Sequence, residues 1–260
     1  MSYAANNTKR FFLAWQSSEE SRAWYPIGRL DASKDRYSFG YTQGAIQAKD
    51  ECGFAPIIDF PDFQKRYDSE HLFSLFSNRA MSKGRVQEYL KLIDLEKLSA
   101  DSELGKLEML AVDGGYRATD AYHVFPDITT NAQGCFTTRF FLHGWRYMNA
   151  DTKKVIADAA LLKAGDELYV SVELNNPTGI AVMLHSGDYH TLGWSPRYLA
   201  HDLVNAMANS PTKSDIKAKV VQINPAPAPS KQRVLIELSA HFPKDYEPLN
   251  EKQFKLLIPS

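Results

Sequence analysis

The residue types suited to recognition chemistry cluster in three short stretches. These are Phe141–Tyr147 (Phe-Leu-His-Gly-Trp-Arg-Tyr), Leu174–Gly179 (Leu-Asn-Asn-Pro-Thr-Gly) and Leu192–Ala200 (Leu-Gly-Trp-Ser-Pro-Arg-Tyr-Leu-Ala). Trp145, Tyr147, Trp194 and Tyr198 offer π-faces, and a base stacked on such a face is worth roughly 1–3 kcal/mol. Arg146 and Arg197 bring charge for flanking phosphates. Asn175 and Asn176 carry both donors and acceptors, suited to base edges or to a terminal sugar hydroxyl. Ser195-Pro196 reads as a cap and first position of a helix, whose outward N–H groups would suit a phosphate. Together these groups suit gripping a nucleic-acid strand.

Signals for bond-making chemistry are weaker. Pro126-Asp127 followed by Asp151-Thr-Lys153 or Asp215-Ile-Lys217 loosely follows a metal-dependent nuclease pattern, in which carboxylates hold Mg²⁺ and the lysine orients water. Asp151, however, reads as a helix cap. His185 and His190 flank a turn and His143 lies elsewhere, without a third or fourth ligand at zinc spacing. The chain contains no GxxxxGK[ST] or GxGxxG run to cradle a nucleotide, and no local motif marks a nucleophile. The expectation is a non-enzymatic protein with no catalytic residues, no metal and no cofactor.

The elements that must position these residues are mostly short strands. Arg10–Gln16, Ala23–Leu30 and Tyr37–Tyr41 read as strands, followed by helical patterns over Glu70–Arg79 and Val86–Ile93. A helix over Leu104–Val112 should stop at Gly114-Gly115, and Ala121–Phe125 returns to a strand. Cys135–Leu142, Leu168–Leu174, Ile180–Leu184 and Thr191–Trp194 are strands, with a turn at Ser186-Gly187-Asp188. Between them, Asp151-Thr152 caps an apolar face of Val155, Ile156, Ala159 and Leu162. A helix from Ser195-Pro196 turns Leu199, Leu203 and Ala206 inward, and Val220–Ile223 pairs with Val234–Leu238 across a proline-stiffened loop. Many short strands with two helices predict a small, partly open, OB-like barrel.

The order and spacing of the three recognition stretches resemble a HIRAN domain, a small β-barrel found beside DNA-repair helicases and in bacterial proteins. The resemblance implies capture of single-stranded DNA, especially 3′ ends. Arg146 and Tyr147 fall in its Gly-x-Arg-Tyr element, Asn175 and Asn176 in its Asn-Asn-Pro element, and Trp194 and Arg197 in its Gly-x-x-x-Lys/Arg element. The family continues Asn-Asn-Pro with an aromatic, an Asp and an Asn; here a shorter Thr178-Gly179-Ile180 follows. Upstream, Leu72–Arg79 (Leu-Phe-Ser-Leu-Phe-Ser-Asn-Arg) and Asp113–Asp120 (Asp-Gly-Gly-Tyr-Arg-Ala-Thr-Asp) resemble the small N-terminal subdomain of HipA-type toxin kinases, without the kinase core. The resulting expectation is an α+β chain with a HipA-N-like α/β module over 8–130. A HIRAN-like barrel with helical insertions follows over 135–243, and a tail over 244–260. The leading expectation is that the barrel holds single-stranded DNA, in bacterial repair or defence, while the first module recruits or regulates a partner. The alternative is an interaction protein resembling the stand-alone HipA N-terminal modules that restrain toxin kinases, with the barrel as a scaffold.

Bulk properties set the limits. With 30 basic against 31 acidic residues, the net charge of −1 argues against tight sequence-independent duplex binding, which needs many phosphate contacts. From Cys135 onward there are 14 Lys and Arg against 12 Asp and Glu, which places any nucleic-acid surface in the second half. Cys52 and Cys135 form no CxxC pair and fit a reducing compartment. No stretch approaches a membrane-spanning run and no leader pattern opens the chain. The expectation is a cytoplasmic protein with no membrane partner.

Overall fold

The computed structural model describes residues 8–18, 22–80, 86–96, 102–117, 119–158, 161–177, 179–209, 216–243 and 245–259, with the side chain of Arg146 outside that set. In chain order the first elements are β1 (Lys9–Gln16), β2 (Trp24–Ala32), β3 (Tyr37–Tyr41), α1 (Gln43–Cys52), β4 (Tyr67–Ser69) and α2 (Ser74–Ser77). Then come α3 (Val86–Leu92), α4 (Glu103–Asp113), β5 (Tyr122–Pro126), β6 (Cys135–Phe141) and α5 (Ala150–Ala157). The chain closes with β7 (Glu167–Glu173), β8 (Ala181–His185), β9 (Thr191–Trp194), α6 (Arg197–Asn209), β10 (Ile216–Ile223) and β11 (Val234–His241). Ala159, Thr178 and Asp215 lie outside the described residues.

The protein is α+β, with two antiparallel sheets in two compact units that interleave along the chain. The first unit takes residues up to 86, then 97–127 and 249–260; the second takes 87–96 and 128–248. In the first unit the sheet order is β4-β3-β2-β1-β5. One face of that sheet, through Phe11, Leu13, Leu30 and Phe39, packs on Phe76, Leu107 and Leu110 in a continuous core. The final segment joins this unit: the Gln43 amide donates to Lys255, the Leu257 amide to Tyr41, and the Phe254 ring meets Phe12 edge-on at 5.5 Å.

Two helical expectations change. Helix α1 was absent from the hydrophobic pattern because it buries only Gly44, Ala45 and Ala48, which leave no large apolar stripe to detect. Over Glu70–Arg79 only one turn, Ser74–Ser77, is helical. Phe73 stands before it in an extended conformation, so the clustering of Leu72, Phe73 and Phe76 reflects a lead-in plus a turn. Helix α4 ends as expected at Gly114, in a left-handed conformation.

In the second unit the sheet order is β6-β11-β10-β7-β8-β9. This sheet curls into a half-barrel: just beyond β6, His143 and Trp194 exchange both backbone hydrogen bonds, at 2.9 and 3.1 Å, so the first strand's extension meets the last strand. Val182, Leu184, Leu192, Leu235, Ile236 and Leu238 are buried in this unit's core. Helix α3 belongs to this unit from Gln87 on; Gln222 and Asn224 donate to its Lys91 and Leu92 carbonyls. The cap of α5 is Asn149, whose side chain accepts from the Thr152 amide at 2.8 Å, not Asp151, which is exposed within the first turn. Among the described residues no helix is long and apolar enough to cross a membrane.

Candidate nucleic-acid interface

Strand alternation decides what the curled sheet shows to solvent. On β7, Leu168 turns inward, so Tyr169, Ser171 and Glu173 face out. Their partners on β8 are His185, Met183 and Ala181, and Met183 in turn lies opposite Trp194 on β9. Glu173, at the end of β7, gathers the nearby recognition groups. Its Oε2 accepts from the Trp194 indole N–H at 2.8 Å and from the Asn176 amide at 2.9 Å.

The other support of Trp194 is Gly144. A Cβ at that glycine would stand 2.2 Å from Trp194 Cε3 and 2.4 Å from Cζ3, and its φ is +88°. The indole therefore lies directly on the Gly144 backbone, where only glycine fits both the space and the conformation. After Gly144, a single 3₁₀ turn over Trp145–Tyr147 carries the Tyr147 ring out to 67 % exposure. On the opposite strand end, Arg197 is half-buried and donates from Nη1 to the Ile180 carbonyl at 3.0 Å. Burial lowers its guanidinium from the ordinary value.

Of the eight residues expected to touch DNA, Asn176 and Trp194 meet at Glu173, with Asn175 exposed beside Asn176; Arg197 is held at the Ile180 carbonyl, and Tyr147 is exposed on the turn after Gly144. The Arg146 side chain is outside the described residues. Two aromatics are placed otherwise. Tyr198 is buried in the core at 5 % exposure, because the first turn of α6 packs against the sheet; its ring has no open face for a base. Trp145 is half-buried, with Lys153 5.9 Å and Arg233 5.4 Å from its ring centre, so the chain's own cations take the place expected for a ligand. At the expected cap of α6 the backbone amide is already engaged. Ser195 is buried and its amide donates to Val182 at 2.9 Å.

Several groups escaped the sequence reading. Glu173 is the central one; its signal was its outward register on β7 immediately before Leu174-Asn175-Asn176. Tyr169 and Tyr189 stack at 4.9 Å and 11°. Ser171 Oγ lies 2.7 Å from His185 Nε2, and Thr191 Oγ1 lies 3.2 Å from His185 Nδ1. Burial lowers the His185 imidazole, favouring its neutral form. Of the carboxylates of the nuclease-like pattern, Asp127 pairs with Arg10 at 3.1 Å in the first unit, and Asp151 sits exposed on α5 in the second. Among the described residues no three His, Cys, Asp or Glu side chains converge as a metal site. A hollow is lined by Thr130–Gly134, His241–Pro243, Asp245 and Tyr246, none of which belongs to the Glu173 cluster. Searches of protein-family models, curated proteins and solved structures found no match to the chain.

Proposed function

We propose that the second unit is a HIRAN-like, OB-like module that captures single-stranded DNA, with a preference for 3′ ends, and that the protein acts without catalysis. One observation carries the reading: Trp194, Asn176 and Glu173 are hydrogen-bonded together on an outward sheet face, with Tyr147 exposed on the turn that follows Gly144 and Arg197 held at the Ile180 carbonyl. A strand needs exposed π-surface, amides and limited charge, and this face supplies all three. Glu173 adds a basis for end preference. A terminal hydroxyl can donate to its carboxylate, whereas a terminal phosphate, carrying about −1.5 to −2 charges at neutral pH, is repelled by it. The HipA-N-like first unit then serves a protein partner in bacterial DNA repair or defence. Among the described residues of the Phe73–Leu90 stretch, Phe76, Tyr89 and Leu90 are buried and Phe73 and Leu75 are half-buried.

The test is fluorescence anisotropy with labelled oligonucleotides ending in 3′ hydroxyl or 3′ phosphate, with duplex as control, over a range of salt. The hydroxyl end should bind about tenfold more tightly, equivalent to about 1.4 kcal/mol. Glu173→Gln should shrink that ratio while Trp194→Ala weakens binding to both ends. Absence of single-strand binding near physiological salt refutes the proposal.

A further inference from the structure

We propose that Tyr169 and Tyr189 form a second stacking station for single-stranded nucleic acid, so that a strand held at Trp194 continues across the outward face of β7–β9. The inference rests on the DNA-binding reading above and extends it to the length and path of the ligand.

The tyrosine pair is built to present aromatic surface. Tyr169 and Tyr189 are 44 % and 68 % exposed, yet their rings lie nearly parallel on one another. Tyr189 reaches that position from the β8–β9 turn with φ +63°, a left-handed conformation unusual for a bulky residue. The turn holds it there: the Tyr189 amide donates to Ser186 at 2.9 Å, and the Ser186 amide to His190 at 3.0 Å. Backbone strain that keeps an aromatic ring in water points to a ligand-facing role.

The pair is also in register with the Trp194 cluster. Trp194, Met183 and Ser171 form one cross-strand row, and His185 and Tyr169 form the next, on the same face. Two strand spacings across and two residues along place Trp194 and Tyr169 about 12 Å apart, using about 4.8 Å between strands and 3.4 Å per residue. That gap spans about three stacked bases at 3.4 Å each. The Ser171–His185–Thr191 hydrogen-bonded chain lies between the two stations and offers polar atoms to sugars and phosphates.

Stacking, not charge, selects the class of ligand. Glu167 and Glu173 flank Tyr169 on β7, and Asp188 precedes Tyr189, while Lys219 pairs with Glu237 at 2.7 Å. Exposed Lys217 is two positions from Lys219, which lies opposite Glu167, and so sits toward Tyr169. The groups named leave an acidic excess, so the hold on a strand here falls to stacking, and only a single strand offers its base faces; duplex does not.

The experiment compares 3′-hydroxyl oligonucleotides of about 3 and about 10 nucleotides, within the site-size range of OB-like folds. The wild-type protein should bind the longer strand at least about tenfold more tightly, the worth of one stacked base. Tyr189→Ala should abolish that gain and leave the short strand's affinity unchanged; Tyr189→Phe should retain it. Tyr189→Gly, which also relieves the positive φ, should behave as Tyr189→Ala and guards against a folding defect. Equal affinity for both lengths, or equal losses on both with Tyr189→Ala, overturns the second station alone. No binding of either strand removes the underlying DNA reading and this one with it. Displacement of the long strand by a neutral oligosaccharide would assign the platform to sugar faces and overturn the proposal.

Discussion

Gly144→Ala is the sharpest probe of how the Trp194 cluster is held, with Gly165→Ala as its control. Both glycines have positive φ, +88° and +93°, and both belong to the second unit. An added Cβ at Gly165 meets no atom within 4 Å, so Gly165→Ala reports backbone strain alone, about 1–2 kcal/mol. At Gly144 the same strain applies, and the new Cβ would also stand 2.2 Å from the Trp194 ring. Ordinary carbon contacts begin at about 3.5 Å, so the indole must shift by about 1 Å or more. It has little room to do so, tied to Glu173 at 2.8 Å and, through its own backbone, to His143. Such overpacking adds about 1–3 kcal/mol. Hydrogen–deuterium exchange over β8 and β9 reads this locally, and the extra term predicts exchange faster by about 5- to 150-fold in Gly144→Ala than in Gly165→Ala. The Gly144 variant should also lose oligonucleotide affinity, whereas the Gly165 variant should keep it. Equal exchange in the two variants would refute the claim that Trp194 is seated on Gly144.

Two further predictions concern the first unit. Burial pushes the Asp113 carboxyl up to about 7, against the pull of the Gly115 amide that donates to it. A carboxyl raised in the folded state favours folding only while protonated. Its contribution is therefore full below the ordinary aspartate range of about 4 and is lost as pH rises through about 7. Urea melts from pH 4 to 8 should show that decline, and Asp113→Asn should flatten it; an unchanged slope in the variant would reject the assignment. Arg79, 3 % exposed at its side chain, forms a two-pronged pair with Asp120 at 3.0 and 2.5 Å and donates to the Gly115 carbonyl at 3.1 Å. Arg79→Ala strands both partners and should cost about 3 kcal/mol in urea unfolding; a loss below about 0.5 kcal/mol would mean the pair is solvated like a surface bridge.

Period-two alternation made the strands legible. Thr191–Trp194 matches its expected bounds, and the β10–β11 pairing follows the two apolar runs across the proline-stiffened loop. Helix α4 was legible because a large apolar stripe and a glycine stop coincide. Helix α1 was not, since its inward face is made of glycine and alanine and hydrophobicity carries no signal there. The recognition residues were legible only as types. Trp194 and Tyr198 are four positions apart and equally aromatic, yet one ends a strand on the outward face while the other starts a helix packed inward.

What the sequence determined by itself is local: strand periodicity, caps and stops, near-neutral charge, and three short stretches of the second half that combine aromatic, amide and arginine side chains. Tertiary structure alone decided the assignment of segments to units. Residues 87–96 join the second unit through carbonyls accepting from Gln222 and Asn224, and residues 249–260 return to the first through β-type hydrogen bonds at Tyr41 and Gln43. It also decided the role of Glu173, which accepts from Trp194, 21 residues later in sequence, because β7 and β9 both pair with β8 and flank it in the sheet. Local sequence fixes which way each side chain points along its own strand. Which side chains meet is fixed by strand order and closure, which depend on backbone pairings between residues distant in the chain.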